Sequence, residues 1–228
     1  MSAPYYQDDL VTLYLGDCLE QAAWLTGDVL VTDPPYGIKW KGVSNYARKG
    51  SRVKTGPLWT EGIANDDSIE VRDKVLEDWG DRPAVVFGSW RIERPVDTQH
   101  LLIWWKRGQA PGPANAPFMS QHEEIYILGK GFVKSSPPMR SVIESKEARS
   151  IEVARIGHPT PKPIGLMETL IDRCPPGVIA DPFAGSGATL IAARNLGRTA
   201  IGVELEERYC EIIATRLSQQ AFDFAGMS

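Results

Sequence analysis

Short apolar runs alternate with polar or amphipathic stretches along most of the chain. The clearest run is Asp28-Val29-Leu30-Val31-Thr32, whose consecutive β-branched and apolar positions are typical of a parallel strand buried on both faces. Further strands are predicted over 10–15, 84–87, 101–105, 123–128, 178–181 and 199–203, and helical stretches over 18–25, 66–79, 164–173, 188–196 and 206–221. This alternation predicts an α/β fold with a doubly wound, mostly parallel sheet.

The domain organisation follows from length and from two stretches without a sustained apolar period. A chain of 228 residues can bury a sizeable core, and with no internal repeat or linker it predicts a single domain over 1–228. Residues 37–65, rich in Gly, Lys, Arg and Ser, predict a long mobile loop. Residues 130–157 are polar, and Pro137-Pro138 should break any regular element there.

The distribution of charge indicates a candidate function for one segment of the chain only. The formal net charge of −4 gives no general indication of nucleic-acid binding. The loop after Gly37, however, carries basic residues and no acidic one up to Thr60. These candidates for phosphate contacts are Lys39, Lys41, Arg48, Lys49, Arg52 and Lys54. A solvated basic loop with no ligand is the alternative interpretation.

Cysteine spacing and hydropathy exclude other classes of protein. Cys18, Cys174 and Cys210 show no CxxC spacing, so they are expected to be reduced packing residues, and no metal site is predicted. There is no signal-peptide pattern and no apolar run long enough to cross a membrane. A cytoplasmic location is the resulting expectation.

Candidate chemistry is concentrated in Asp33-Pro34-Pro35-Tyr36, directly after the clearest strand. In open α/β sheets, ligands bind at the carboxyl ends of the strands. The two prolines fix φ and remove two backbone N–H groups, which leaves a stiff corner with the Asp33 carboxylate and the Pro34 carbonyl as acceptors. The ring of Tyr36 adds a flat surface. This set suits a nucleobase with an exocyclic amine; a tight turn with an exposed tyrosine is the alternative.

A second candidate site is the glycine loop Asp181-Pro182-Phe183-Ala184-Gly185-Ser186-Gly187, between a predicted strand and a helix. Glycines allow close approach of a ligand, and the helix N-terminus offers free N–H groups. Glu204 ends the next strand, near the spacing at which a carboxylate holds ribose hydroxyls. Leu190 replaces the third glycine of the dinucleotide fingerprint, and no Walker lysine follows. The loop therefore predicts an adenosine-type ligand without a pyrophosphate.

These motifs together resemble the DNA amino-methyltransferases that use S-adenosylmethionine. The matching segments are Gly16-Asp17, Asp33-Pro34-Pro35-Tyr36, His158-Pro159-Thr160-Pro161-Lys162-Pro163, Asp181-Pro182-Phe183-Ala184-Gly185-Ser186-Gly187 and Glu204. Because the catalytic tetrapeptide precedes the cofactor loop, the order resembles the circularly permuted β-group of that family. The resemblance covers about residues 10–217 and implies a Rossmann-like methyltransferase fold, S-adenosylmethionine as the cofactor and double-stranded DNA as the partner.

The resemblance also implies roles for single residues. Asp33, Pro34, Pro35 and Tyr36 are the expected catalytic residues, which receive the target base. The expected cofactor-binding residues are Asp17, Lys162, Asp181, Phe183, Gly185, Ser186, Gly187 and Glu204. Read alone, Asp17 could instead cap a helix and Glu204 could favour a helix dipole.

The expected activity is methylation of adenine at N6, because Asp opens the tetrapeptide where cytosine-N4 enzymes of the family more often have Ser. Cytosine-N4 methylation and a catalytically silent DNA-binding relative are the alternatives. The resemblance further implies a restriction–modification setting and a homodimer. Residues 130–157 are the expected target-recognition segment.

Overall fold

The sheet is the central feature of the computed structural model, which describes residues 3–38, 66–107, 117–118, 120–145, 156, 158 and 160–225. Its strands are β1 (Tyr6–Gln7), β2 (Val11–Leu15), β3 (Val29–Thr32), β4 (Ala84–Gly88), β5 (His100–Lys106), β6 (His122–Leu128), β7 (Val142–Ser145), β8 (Ile179–Asp181) and β9 (Ala200–Glu204). Within these ranges all of them join one sheet in the order β1-β2-β9-β8-β3-β4-β6-β5-β7.

The middle of the sheet, from β2 to β4, is parallel. From β8 the chain crosses to β9 on one side, whereas from β3 it crosses to β4 on the other. The two strands lie side by side, with Leu30 opposite Ala180. Strand order therefore reverses between β3 and β8, which is where ligands bind in a sheet of this kind.

Strand β6 runs antiparallel to both of its neighbours, β4 and β5. Its first residues consequently lie at the same edge of the sheet as the last residues of β3 and β4. Glu124 pairs with Gly88 at the end of β4, and Glu123 pairs with Trp104 near the end of β5. This reversal brings charged residues of β6 to the edge where the ligand is expected.

Helices cover both faces of the sheet. Helices α2 (Ile164–Ile171), α3 (Ala188–Asn195) and α4 (Glu207–Ala225) contribute Met167, Leu190 and Ile213 to one buried core. On the other face, α1 (Glu70–Trp79) and a 3₁₀ helix (Ala22–Thr26) form a second core in which Trp24 stacks on Trp79 at 5.9 Å between ring centroids. The predicted fold class, a doubly wound and mostly parallel Rossmann-like sheet, is confirmed.

The structure differs from the predicted elements in three places. Strand β7 was not expected, because half of its residues are polar or charged and two prolines precede it; it forms by pairing in parallel with β5. The two-residue strand β1 is too short for a periodicity signal. The helix predicted over 18–25 is a turn followed by the 3₁₀ helix.

Some sequence predictions fall outside the described residues. All candidate DNA-contacting residues lie there, namely Lys39, Lys41, Arg48, Lys49, Arg52 and Lys54, as does the rest of the predicted loop beyond Ile38 and before Asp66. Of the predicted recognition segment, residues 130–145 and 156 are described.

Candidate active site at the carboxyl edge of the sheet

Two loops leave the sheet next to each other at the switch point, one after β3 and one after β8. The Thr32 hydroxyl, at the end of β3, donates a hydrogen bond of 2.7 Å to Oδ1 of Asp181 at the end of β8. The two most distinctive motifs of the sequence are therefore joined directly, although 149 positions separate these residues along the chain.

The first loop forms the corner predicted from the sequence. Pro34 is buried, whereas Asp33, Pro35 and Tyr36 are half-buried. The Tyr36 hydroxyl lies 2.7 Å from Oδ1 of Asp33 and 3.2 Å from Oε2 of Glu123. Burial, together with the two carboxylates, raises the pKa of Tyr36 well above its ordinary value. Tyr36 is therefore a neutral hydroxyl that donates to a carboxylate.

Lys162 places its ammonium group in this corner. Its Nζ donates to Oδ2 of Asp33 and lies 3.3 Å from Oε2 of Glu123. Burial works against its charge, but the two carboxylates raise the pKa of Lys162 above its ordinary value. The resemblance assigned Lys162 to the cofactor pocket, and the structure places its ammonium group on the tetrapeptide. Burial and the charge of Lys162 also lower the pKa of His158, which lies beside Gly185.

Burial and the neighbouring lysines have opposite effects on the pKa values of the two carboxyl groups in the corner. Burial raises the pKa of Asp33, while Lys162 partly offsets that effect. Burial also disfavours the charge of Glu123, but Lys162 and Lys106 outweigh it and lower the pKa of that carboxyl. Asp33 is not fully enclosed, since a quarter of its side chain is exposed.

Glu123 and Lys106 are site residues that the sequence analysis missed. Lys106, the last residue of β5, donates from Nζ to Oε1 of Glu123 near the start of β6. Charged residues in a predicted strand normally indicate its solvent-facing side. The sequence contains one signal against this interpretation. The consecutive residues Glu123 and Glu124 point to opposite faces of the strand, so they cannot both lie on its solvent-facing side.

The second loop has the backbone geometry of a close ligand contact. Gly185 and Gly187 have φ values of +50° and +78°, in the left-handed region that favours glycine. A Cβ on Gly187 would lie 2.9 Å from Cγ1 of Ile213, and one on Gly185 would lie 3.1 Å from Nε2 of His158. Helix α3 begins directly after Gly187. The glycines of the motif are therefore required by conformation and by space.

Glu204 holds this loop in place. Its Oε2 accepts a hydrogen bond of 2.7 Å from the Gly185 N–H, and its Oε1 accepts one of 2.9 Å from the Glu206 N–H. Burial raises the pKa of Glu204 to about 7, against the effect of these two bonds. The carboxylate is thus tied to the glycine loop at the end of β9.

Asp17 lies beside Glu204 at the same edge. Leu15 pairs with Glu204, and the Gly16 N–H donates to the Glu204 carbonyl at 2.9 Å. Oδ1 of Asp17 accepts a bond of 2.9 Å from the Leu19 N–H. This bond closes a turn and does not cap a helix, because the 3₁₀ helix begins only at Ala22. The Asp17 side chain lies at the ligand edge.

The remaining loop residues have structural contacts as well. Asp181 accepts from the Phe183 N–H at 3.1 Å, and burial raises the pKa of its carboxyl to about 6. Phe183 is half-buried, whereas Ser186 is buried and its carbonyl accepts from Arg216. The structure thus brings the predicted cofactor residues of the glycine loop together with Glu204 and Asp17 in one region.

The electrostatics of this region suit a cation. Burial raises the pKa of the Cys18 thiol to about 12, and the negative charges of Asp17, Asp181 and Glu204 contribute. A site with these three carboxylates disfavours a pyrophosphate and favours a ligand with hydroxyl donors and a positive charge. S-adenosylmethionine, which carries a ribose and a sulfonium, fits this set of acceptors.

The described residues indicate neither a metal site nor a membrane span. Across the described ranges, no group of three or more His, Cys, Asp or Glu side chains is arranged to hold a metal ion. In the same part of the chain, every helix is too short or too polar to span a membrane.

Comparison with known proteins gives a consistent result. Residues 93–215 match the N6/N4 methyltransferase family, which is described as DNA methylase. The chain is 42% identical over 267 residues to the type II methyltransferase M.ScaI of Streptomyces caespitosus, an alignment that covers 97% of this chain and 86% of the relative. It is 26% identical to M.HinfI of Haemophilus influenzae, with 93% and 69% covered.

Solved structures share the fold. The complex of M1.HpyAVI with SAM matches with a TM-score of 0.64 and 21% identity, covering 91% of this chain and all of that one. The cytosine-N4-specific PvuII DNA methyltransferase matches with a TM-score of 0.65 and 16% identity, covering 93% and 88%.

Proposed function

The chain belongs to the N6/N4 family of DNA methylases, and we propose that it transfers a methyl group to the exocyclic N6 amine of adenine in double-stranded DNA. The observation that carries this proposal is the contact between the two loops. Thr32 at the end of β3 is hydrogen-bonded to Asp181 at the end of β8, so the amine-accepting corner borders the carboxylate-lined glycine loop.

The cofactor is S-adenosylmethionine. The residues that would hold it are Glu204 and Asp17 at the adenosine end and the loop from Asp181 to Gly187 at the methionine end. When bound, it supplies a methyl group on a sulfonium, which is a strong electrophile. The carboxylates of the loop favour that positive charge, and Glu204 offers acceptors for ribose hydroxyls.

The role of Asp33 follows from the chemistry of the target. The amine of adenine is a poor nucleophile, because its lone pair is delocalised into the ring. The Asp33 carboxylate and the Pro34 carbonyl can accept hydrogen bonds from its two hydrogens, which favours a pyramidal nitrogen with a localised lone pair. Positioning and electrostatics then supply the acceleration, without a covalent intermediate on the protein.

The DNA must present the base outside the helix, since the target amine is paired within it. Tyr36 is the residue on which the flipped base would stack, because its hydroxyl lies 2.7 Å from Asp33 and its ring is therefore next to the proposed acceptor of the target amine. The basic residues between Lys39 and Lys54 would contact phosphates, and residues 130–157 would contact bases.

Cytosine-N4 methylation is the second candidate. The cytosine-N4-specific PvuII enzyme shares the fold with a TM-score of 0.65, and the same two acceptors suit the amine of cytosine. Adenine is preferred because Asp33, rather than Ser, begins the tetrapeptide.

The test is to incubate the purified protein with S-adenosylmethionine and unmethylated duplex DNA, and then to analyse the nucleosides by mass spectrometry. The expected product is N6-methyldeoxyadenosine, and sequencing the modified DNA then gives the recognition site. N4-methyldeoxycytidine would replace the adenine assignment and keep the mechanism. No methylated base on any DNA, with the cofactor still bound, would favour the silent relative.

A further inference from the structure

The Glu123 carboxylate contacts two residues of the catalytic corner, Tyr36 and Lys162, and the neighbouring Lys106. Its Oε2 lies 3.2 Å from the Tyr36 hydroxyl and 3.3 Å from Nζ of Lys162. Its Oε1 accepts from Lys106. Only 18% of the side chain is exposed. A carboxylate so enclosed has a definite orientation, set by two lysines and the Tyr36 hydroxyl from three different segments.

The contacts form a closed arrangement around Asp33. Lys162 bridges Asp33 and Glu123, and the Tyr36 hydroxyl lies between the same two carboxylates. With Lys106 on the outer oxygen of Glu123, two acids and two lysines balance one another. Removing one member of a buried set of this kind leaves a charge without compensation, so the others must move.

We propose that Glu123 is a positioning residue for methyl transfer: it holds Lys162 and the Tyr36 hydroxyl against Asp33 and thereby fixes the direction in which the Asp33 carboxylate faces the target amine. The inference rests on the proposed function and adds β6 to the elements that build the site. Glu123 touches neither the base nor the cofactor in this role. It acts through Lys162 and Tyr36.

If Glu123 has this role, its replacement should change the pH dependence of kcat for methyl transfer. The charged and titratable groups that face Asp33 are Lys162 before α2, Glu123 on β6, Asp181 on β8 and Tyr36 in its own loop. The charge of Glu123 raises the pKa of Asp33, whereas that of Lys162 lowers it. Neutralising Glu123 should therefore lower the pKa of Asp33, and neutralising Lys162 should raise it.

The experiment compares Glu123→Gln, Glu123→Asp and Lys162→Met with the wild-type protein at saturating DNA and S-adenosylmethionine. In Glu123→Gln we expect kcat to fall roughly 10- to 100-fold, as for a small misplacement of a reacting group, with both KM values within about twofold. The acid limb of kcat should move to lower pH in Glu123→Gln and to higher pH in Lys162→Met. Glu123→Asp keeps the charge and should restore the wild-type limb.

Glu124→Gln is the matched control. Glu124 is the next residue of β6, is 4% exposed and points to the opposite face, where it accepts from the Tyr126 hydroxyl at 2.6 Å and from Arg94 at 3.1 Å. Its replacement removes a carboxylate from the same strand that is even more buried than that of Glu123. Stability should fall, while kcat per folded molecule and its pH profile stay those of the wild type.

The outcomes separate this inference from the proposed function. Wild-type activity on DNA with an unchanged kcat and acid limb in Glu123→Gln would overturn the inference alone. The same holds if Glu124→Gln shifts the limb as Glu123→Gln does, because the effect would then come from a general loss of structure. A wild-type protein that methylates no base in DNA would overturn the proposed function together with the inference.

Discussion

Asp33 is the side chain on which the proposed transfer depends most directly. We predict that Asp33→Ala lowers the rate of methyl transfer by roughly 10³-fold or more, because one of the two acceptors for the target amine is lost. The affinity for S-adenosylmethionine should remain close to that of the wild type, since the cofactor loop keeps its own contacts through Glu204. Single-turnover methylation and calorimetric titration measure the two quantities separately.

Asp172→Asn is the control for this substitution. Its side chain is 58% exposed and forms an ion pair with Arg173 directly after α2, away from the corner. Its activity should equal that of the wild type. Substantial transfer by Asp33→Ala would contradict the proposed role of the carboxylate.

The pKa of Glu204 makes a second prediction at this scale. Ribose hydroxyls donate more strongly to an ionised carboxylate, and burial raises the pKa of Glu204 to about 7. The affinity for S-adenosylmethionine should therefore increase between pH 6 and pH 8, by at most about tenfold for each pH unit. Glu204→Gln should bind more weakly and lose this part of the pH dependence. Calorimetric titrations at both pH values provide the measurement.

The stability of the fold should have the opposite pH dependence to cofactor binding. Its measurement tests the same raised pKa of Glu204. The pKa of Glu204 is higher in the folded protein, about 7, than its ordinary 4.5, so the folded state binds the proton more tightly. The free energy of unfolding should therefore fall as pH rises from about 4.5 to 7, by on the order of 2–3 kcal/mol from this residue. Asp181, whose pKa is about 6, titrates in both proteins, so the difference between wild type and Glu204→Gln isolates Glu204. Equal pH profiles of stability in the wild type and in Glu204→Gln would contradict the raised pKa of Glu204.

At the scale of elements, the turn from β8 into α3 depends on the conformation of Gly187. Its φ of +78° is unfavourable for other residues, and an added Cβ would lie 2.9 Å from Ile213 of α4. We predict that Gly187→Ala lowers the free energy of unfolding by about 1–3 kcal/mol and weakens cofactor binding, because the loop must move away from α4. Chemical denaturation and a cofactor titration test both parts.

Gly165→Ala is the matched control within α2. A Cβ there meets no atom within 4 Å, so the substitution should raise stability by up to about 1 kcal/mol through helix propensity. Equal losses of stability in the two variants would show that the conformation of Gly187 is not the cause.

The elements could be predicted from the sequence where their apolar residues recur regularly. Strands β3 and β4 have consecutive buried apolar residues, and both were predicted to within one residue. Strand β7 has no such pattern, because its residues alternate between half-buried and exposed and the strand depends on pairing with β5. A pairing partner distant in the chain leaves no trace in the local sequence.

The same difference holds for the residues of the site: those within motifs could be predicted from the sequence, and those outside them could not. Asp33 and Glu204 follow predicted strands and belong to motifs, so their place at the carboxyl edge could be predicted. Glu123 and Lys106 belong to no motif and reach the corner only because β6 is antiparallel to β4 and β5. Lys162 was found through its motif, but its contact with Asp33, 129 positions earlier in the chain, could not be predicted from that motif.

At the scale of the whole molecule, the two motifs could occur in either order along the chain and still meet in the folded protein. The tetrapeptide follows β3 and the glycine loop follows β8, and these strands are neighbours. Because the sheet joins them side by side, the loops meet regardless of which is synthesised first. The permuted order that the motifs indicated therefore leaves the geometry of the site intact.

The distribution of charge over the molecule leads to the last prediction. The net charge is −4, so DNA binding must depend on local basic groups, and the sequence places them between Lys39 and Lys54. We predict that Lys41→Gln weakens DNA binding and lowers the magnitude of the slope of log K against log salt by about 0.9, as expected for one lost phosphate contact. Binding of S-adenosylmethionine should not change, because the residues proposed to hold it lie elsewhere.

Lys74→Gln is the matched control for that experiment, and it separates a contact from a general charge effect. Lys74 is half exposed on α1, where it pairs with Glu77 at 3.0 Å and with Asp78 at 2.7 Å. Its replacement changes the net charge by the same amount, and the slope should remain that of the wild type. If Lys41→Gln and Lys74→Gln shift the slope equally, then the molecule binds DNA through its overall charge, and the basic loop is only solvated. A shift confined to Lys41→Gln supports a specific phosphate contact by the basic segment that follows Tyr36 in the sequence.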